Sequence, residues 1–591
     1  MGIILIIACT SLVYFHSYAS NGFTWDDAVT VIDCRAIRNW DGLLKMDPET
    51  YFHSFPELSY RPVVSASYVL DYQLWGDVAH GYHLTNVILH ALVSVSVLFL
   101  GIGIFRRFHI AFVAALLVVV HPAFTEAVES ISFREDLLAG MFVVLSVTLA
   151  LSSLKTDRID RLSYALSLAT LVVALFSKEM SVTTPFLIIA VLLITRDRRF
   201  RKRDLTLTIP HFVIVLVYLI LRSTTLSNPR ETFPQYIGGS FFTAMFTMSR
   251  VTLFYLIKLF LPMNQSTHYA FDASTSLFDV KVVAAVLVMC LIVVAAVLAR
   301  KHTWGITIGL VWFGIALLPV SNIVPVRKLI ADRFLYLPGI GICLAISAFF
   351  FFSQTRKCSV TFFTRCALFV VLLAMMGAHT VARHKVWAND LALWRNAVMM
   401  GSENTTVHTN LGKGYAENDK LHKAVRSFAR AVELLPSNWD ALFNLGYAYL
   451  KLEKPDLALD KFHRVLASGQ INAVAHEGLG QAFLAIEDFA YAEHHFRTAI
   501  SLDPMLVRAY VNYGRVLKQQ NKIVQAMSMW HHALRLDPEY DDAYYYLAQA
   551  YRLRGEQKQE TEALSKFLEL SPAGDRAAEV RSRLKELDPK L

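Results

Sequence analysis

The stretch FTWDD, residues 23–27, sets Asp26 and Asp27 side by side just after an apolar N-terminal segment. Three further stretches crowd ionisable groups between apolar runs. HPAFTEAVESISFREDLLAGMF carries His121, Glu126, Glu129, Arg134, Glu135 and Asp136. FSKEMSVTTP carries Lys178 and Glu179, and VRKLIADRFLYLP carries Arg327, Lys328, Asp332 and Arg333. SYRPVV adds Arg61. Charges at the ends of membrane spans are costly and usually mark a substrate path. Basic groups there suit a phosphate, which arginine grips through two parallel hydrogen bonds. A carboxylate beside a phosphate-linked sugar can take the proton of an incoming hydroxyl. Plainer readings compete: an Asp pair beside a helix can be a solvated cap, His121 before Pro122 can cap and bend a helix, and Arg61 can be structural.

These groups need a frame, and composition says which kind. The 591 residues are 55% hydrophobic and 18% charged, with mean hydropathy +0.41, more apolar than a soluble chain of this size. The apolar content is concentrated in residues 1–385, while 400–591 reads as an ordinary soluble domain. A bilayer core of roughly 30 Å takes about 20 apolar residues as helix. Eleven stretches qualify as expected spans: 2–19, 82–104, 110–124, 137–154, 160–177, 181–195, 208–223, 281–299, 303–320, 334–353 and 363–382. The first is read as an uncleaved span, since no basic segment precedes its apolar run. Residues 241–261 are interrupted by Arg250 and Lys258 and read as interfacial or re-entrant.

The formal charge is +9, but the cations gather in short loops: Arg106 and Arg107; Lys155, Arg158 and Arg161; Arg196 to Arg203; Arg300 and Lys301; Arg356 and Lys357. With eleven spans all five loops fall on one side, the cytoplasmic one by the positive-inside rule. The acidic pair, the three charged stretches and the whole C-terminal part then share the opposite face. No basic stripe with interleaved aromatics points to nucleic acid. Six cysteines without a CxxC or Cys/His cluster give neither a disulfide framework nor a zinc site.

The C-terminal part repeats every 34 residues. Gly412, Gly446, Gly480 and Gly514 keep that spacing, with Ala548 next; Ala424, Ala458, Ala492 and Ala526 share it, as do Phe428, Phe462, Phe496 and Trp530. Pro436, Pro504, Pro538 and Pro572 end units, Gln470 replacing one proline, and Glu560 stands where the fifth unit should have alanine. The pattern resembles the tetratricopeptide repeat, a helix pair whose small residues admit a facing aromatic. It predicts five units over 405–574, a capping helix over 575–591, a linker over 386–404, and a concave surface for a polypeptide. The fold class expected is therefore all-α: a polytopic helix bundle followed by an α-solenoid.

The aspartate pair in the first outer loop, the number of spans and the charged outer loops look like the GT-C class of lipid-linked glycosyltransferases. With HPAFTEAV, FREDLLAG, SKEMSVTTP, DRFLYLP and the repeats, the chain resembles the transmembrane and tetratricopeptide-repeat O-mannosyltransferase family along nearly its whole length. The resemblance implies transfer of mannose from a polyprenyl- or dolichyl-phosphate carrier to Ser or Thr hydroxyls, with inversion. It implies Asp26 as general base and Asp27 as its partner or a ligand for an ion, so a divalent cation stays open. Arg134, Lys178 and Arg333 become candidates for the carrier phosphate, Glu126, Asp136 and Glu179 for orienting them or the sugar, and Arg61, His121 and Asp332 for the same wall. The membrane would be endoplasmic-reticulum or bacterial cytoplasmic, with the repeats lumenal or periplasmic. Another GT-C activity on a different lipid-linked sugar, and a non-enzymatic membrane scaffold, are the rival readings.

Overall fold

The computed structural model describes the chain except residues 41–42, 44–47, 56–58, 155–158, 196–203, 205, 227, 229–233, 352–359, 469–471, 573, 575 and 588–591. Lys155, Arg158, the basic run 196–203, Arg356, Lys357 and Gln470 thus lie outside the described residues. Every regular element among the described residues is helical. The chain divides into two compact units, Met1–Ser402 and Glu403–Leu591. Part of the expected linker 386–404 instead forms the helix Asp390–Met399, which belongs to the first unit. Asn389 caps it by accepting from the Ala392 amide.

In the first unit, among the described residues, five helices are long and apolar enough to cross a membrane: Ala79–Phe105, Ile131–Ser153, Val280–Leu298, Asp332–Phe351 and Phe363–His384. A sixth candidate is the pair Phe108–Val120 and Pro122–Glu129, bent by 55°. The bend falls where proline removes a backbone donor. The other expected spans fall on shorter apolar helices: Gly2–Val13, Arg161–Leu175, Glu179–Thr195, Ile209–Thr224 and Trp304–Val320. Each of the eleven stretches is thus an apolar helix, but at about 1.5 Å per residue the shorter ones do not by themselves reach across the bilayer core.

Helical geometry covers Val280–Leu317, yet the Thr307 hydroxyl donates to the Ala296 carbonyl at 3.0 Å. A straight helix would hold those residues about 16 Å apart, so the chain doubles back between them and makes two antiparallel arms. The second arm crosses Tyr336–Phe351 at Gly309 and Gly341. A Cβ on Gly309 would stand 2.3 Å from the Gly341 carbonyl oxygen, so only glycine lets the two backbones approach this closely. Trp312 locks the crossing by donating to the Leu337 carbonyl at 2.9 Å. The interrupted stretch 241–261 forms the helix Phe241–Phe260, opened by a capping box at Ser240 and Thr243, and is not among the candidate spans.

The second unit is five helix pairs and a final helix, Ala577–Leu587. Gly412, Gly446, Gly480 and Gly514 each face the aromatic of their own unit's second helix, Phe428, Phe462, Phe496 and Trp530. The turn inside each pair puts one residue in the left-handed region: Asp419, Glu453, Glu487, Asn521 and Gly555, again 34 apart. Glu560, the exception to the alanine pattern, is buried and accepts from Arg583 of the final helix at 2.8 Å. The departure in the fifth unit is what fastens the cap.

Candidate active site

Trp25 is held in the left-handed backbone region, at φ 57°, where an L-residue pays roughly 1–2 kcal/mol. Its surroundings impose it. The Trp25 amide donates to Asp390 Oδ1 at 2.6 Å. Its ring stacks on Trp387 and meets Phe133, Trp394 and His268 edge-on or tilted, with centroids at 5.3–6.5 Å. The turn that follows, Ala28–Ile32, is one wide helical turn, a form frequent at functional sites.

This geometry sends the two neighbouring carboxylates to different fates. Asp27 is fully buried. Its Oδ2 accepts from the Thr24 amide and hydroxyl, and its Oδ1 from the Ser132 amide at 2.7 Å and the Ser130 hydroxyl at 3.2 Å. It fastens the first loop to the segment before Arg134. The Asp26 carboxylate has no hydrogen-bond partner among the described residues, and the residue is exposed. Crowding by surrounding protein and then the Asp27 charge push its pKa above the usual carboxylate range, against the pull of Arg333 and Lys328. One carboxylate is structural and the other is free.

Beside Asp26 runs a belt of ion pairs drawn from distant stretches. Arg333 pairs with buried Glu126 at 2.6 Å and lies over the Phe133 ring at 3.8 Å. The Asp332 amide donates to the same Glu126, and Tyr269 donates to Asp332 Oδ1 at 2.7 Å. Lys178 bridges Asp136 at 2.6 Å and Glu135 at 3.6 Å. Arg61 joins Glu135 at 3.2 Å to Glu179 at 3.0 Å, and Arg222 reaches Glu179 at 3.5 Å. Most of the residues singled out in the sequence therefore do meet.

Arg134, His121 and Glu129 do not serve this wall. Arg134 is fully buried and spends its guanidinium on Asp71 at 2.5 Å, Asn86 Oδ1 at 2.7 Å and the carbonyls of Ser67 and Tyr82. His121 accepts from the Ala123 amide and donates to the Leu259 carbonyl at 2.9 Å, which is the work of a cap at the helix bend. Glu129 sits deeper, bonded to His384 and, at 2.9 Å, to Asn21.

The sequence placed Lys328 among the outer-face charges but did not single it out for the carrier phosphate. The Lys328 ammonium lies 4.4 Å from the centroid of the Trp25 ring, is sealed from solvent, and has no hydrogen-bond partner among the described residues. Burial and then the Arg333 charge lower its pKa to about 8. His268 Nδ1, Thr267 Oγ1, Trp387 Nε1 and Arg383 Nε are buried and unpartnered nearby in the fold; His268 touches Trp25, and Arg383 donates to the Gln265 carbonyl at 3.0 Å. Buried polar groups are normally satisfied, so a cluster of unused donors marks a place where an anion or a polar ligand belongs. Its signal was weak because Lys328 is one of two adjacent cations, and His268 and Trp387 lie in stretches with no charge pattern.

The donor set is wrong for a divalent cation. Such an ion wants about six oxygens, while Asp27 has spent both of its own and Asp26 stands alone. Among the described residues no three His, Cys, Asp or Glu side chains are placed to hold a metal. Within the helix bundle lies a cavity of about 470 Å³ walled by apolar side chains, among them Leu256, Phe260, Ile292, Phe349, Leu372 and Met376.

A tetratricopeptide-repeat family model matches residues 409–473. Protein O-mannosyl-transferase F38B6.6 of Caenorhabditis elegans is 27% identical over 454 residues, 73% of this chain and 63% of that protein. Protein O-mannosyl-transferase TMTC4 of Homo sapiens is 26% identical over 489 residues, 72% of this chain and 65% of that one. TMTC3 of Homo sapiens is 23% identical over 477 residues, 74% and 52%. The chain thus spans between half and two thirds of the length of these relatives. Among solved structures, TTC0263, a tetratricopeptide-repeat protein of Thermus thermophilus, covers 31% of this chain and 98% of its own at 20% identity and a TM-score of 0.29. Along 72–74% of its residues the chain is a homologue of TMTC-type protein O-mannosyl-transferases, and it ends in tetratricopeptide repeats.

Proposed function

We propose that the chain is a membrane glycosyltransferase that moves a sugar, mannose by analogy with its relatives' names, from a polyprenyl- or dolichyl-phosphate carrier to serine or threonine hydroxyls of proteins, its repeats recruiting the acceptor. The observation that carries the proposal is the pairing of a free carboxylate, Asp26, with an unpartnered buried ammonium, Lys328, around one rigid tryptophan. The raised pKa of Asp26 suits a base working near neutrality. Asp26 takes the proton from the acceptor hydroxyl as its oxygen bonds to the sugar's anomeric carbon. The bond from that carbon to the carrier phosphate breaks, and its electrons leave with the phosphate. Lys328 and Arg333 neutralise the charge that develops there. Attack opposite the leaving group inverts the anomeric centre. The apolar cavity gives an isoprenoid tail somewhere to lie. The active face would open to the endoplasmic-reticulum lumen or the periplasm.

The first test supplies purified chain in detergent with radiolabelled mannosyl-phosphoryl-polyprenol and a Ser/Thr-rich acceptor, and follows label into protein. Transfer supports the proposal. Silence with mannose but transfer of another lipid-linked sugar would keep the reaction class and change the donor. Silence across donors would favour the scaffold.

A pH profile of kcat/KM is expected to be bell-shaped. Protonation of Asp26 removes the base as pH falls through a pKa above the ordinary carboxylate range. Loss of the Lys328 proton removes a phosphate cation as pH rises through about 8. Lys328→Met is expected to erase the alkaline limb and to lower kcat/KM about 10- to 100-fold, the effect of one hydrogen bond to a charged group. An unchanged alkaline limb in that variant would remove Lys328 from the mechanism.

A further inference from the structure

In the second unit each repeat's first helix packs on the first helices of its neighbours, whereas consecutive second helices hardly meet. The first helices are therefore the inner row of the solenoid and line its concave face. Most charge on that face is spent internally. Lys413 pairs with Asp440 at 2.9 Å, and Arg576 with Asp542 at 2.5 Å. Glu477 is fully buried and accepts from Tyr447, from Gln481 and, at 2.8 Å, from Asn512.

The balance fails across the fourth and fifth repeats. Arg508, Arg515 and Lys518 stand seven and three residues apart on the first helix of the fourth repeat, Val507–Gln519, a spacing that keeps them on one side. Arg508 lies over the Tyr447 ring and only approaches the already saturated Glu477, at 3.6 Å, while its side chain is 41% exposed. Arg515 donates to the neutral Asn512 amide oxygen at 2.9 Å and lies 5.5 Å from the centroid of the Tyr546 ring. Lys518 donates to the neutral Gln549. Arg552, one helical turn beyond Gln549, has no partner among the described residues; it borders a cavity of about 300 Å³ whose wall also holds Glu560, Glu579 and Glu586, which Arg583 and the Tyr545 hydroxyl engage. Among the described residues Arg515 and Lys518 thus have no carboxylate partner. Arg515 crowds Lys518 and, after burial, helps lower its pKa, as expected of two cations without an anion between them.

We infer that the concave face of the fourth and fifth repeats binds an acidic polypeptide segment, whose Asp or Glu side chains supply the carboxylates that Arg515 and Lys518 lack while its backbone lies against Tyr546. If this segment belongs to the acceptor, it names the acceptor class of the reaction proposed above and rests on that proposal; the binding itself does not.

The test uses the full chain in detergent and fluorescent peptides of twelve residues that alternate Ser with Glu, Gln or Lys. The expected result is binding of the Glu peptide at least tenfold tighter than the Gln peptide, weakening with salt, and no binding of the Lys peptide. The double variant Arg515→Glu/Lys518→Glu is expected to lose that discrimination. Arg515→Gln/Lys518→Gln, which adds no like charges, is expected to weaken it while keeping the wild-type circular dichroism. Equal binding of Glu and Gln peptides, or full discrimination surviving in the Gln variant, overturns the inference. Capture by phosphatidylserine vesicles in preference to the Glu peptide overturns it in favour of a membrane surface. No sugar donor is present, so failure here and failure of transfer are read separately.

Discussion

Asp26→Asn is expected to cut sugar transfer by about 10²–10⁴-fold, the usual contribution of a positioned general base, and to leave the melting temperature of the detergent-solubilised chain unchanged. The two halves of that expectation have different causes. The catalytic half follows from a carboxylate that no protein donor occupies among the described residues and that feels the charges of Lys328 and Arg333. The stability half follows from the missing hydrogen bonds and the raised pKa: burial and Asp27 outweigh the attraction of Arg333 and Lys328, so the fold does not favour the charge and a neutral amide costs it nothing net. Asp27→Asn is the informative companion. Its amide would turn an NH₂ toward donors that now point at Oδ1 or Oδ2, leaving buried polar groups unmatched at about 1–3 kcal/mol. Loss of transfer with a normal melting curve in Asp26→Asn, against a lowered melting curve in Asp27→Asn, separates base from brace. Equal transfer by wild type and Asp26→Asn would end the enzymatic reading of this carboxylate.

Residue type alone made both aspartates look important; only the family resemblance assigned Asp26 as base and Asp27 as its partner or an ion ligand. Both are the same residue type in adjacent positions. What separates them is the left-handed φ of Trp25 and the arrival of Ser130 and Ser132 from more than 100 residues away. The repeats were readable because their packing is local: the glycine and the aromatic it faces lie 16 residues apart and recur every 34. The apolar helices were readable for the same reason. Their crossings were not, since Gly309 meets Gly341 through a contact that no periodicity records. Cations were the hardest. Residue type favoured Arg134 for a phosphate, but whether an arginine is free depends on which carboxylate finds it. Lys328 showed the converse, an ordinary lysine made unusual only by the ring above it and by the absence of a partner.

Arg134 therefore gives the second large effect, and it is one of stability rather than chemistry. Its guanidinium ties together three helices: Pro62–Trp75 through Asp71, Ala79–Phe105 through Asn86 and the Tyr82 carbonyl, and its own helix, Arg134–Ser153. Burial raises the Asp71 pKa and Arg134 pulls it back, so each charge is tolerable only because the other is present. Arg134→Met strands Asp71 and is expected to cost about 3–5 kcal/mol, the range for breaking a buried pair from one side. Adding Asp71→Leu removes the stranded charge, and the double variant should recover most of that loss, since an apolar replacement of a buried pair is often neutral. Thermal unfolding of wild type, both single variants and the double variant in one detergent measures the cycle. A phosphate-gripping Arg134 predicts the opposite pattern: an unchanged melting curve, a raised KM for the lipid donor, and no rescue by Asp71→Leu. Asp71 stands 63 residues before Arg134 in the chain, and that pairing, more than the arginine itself, decides which pattern the protein must show.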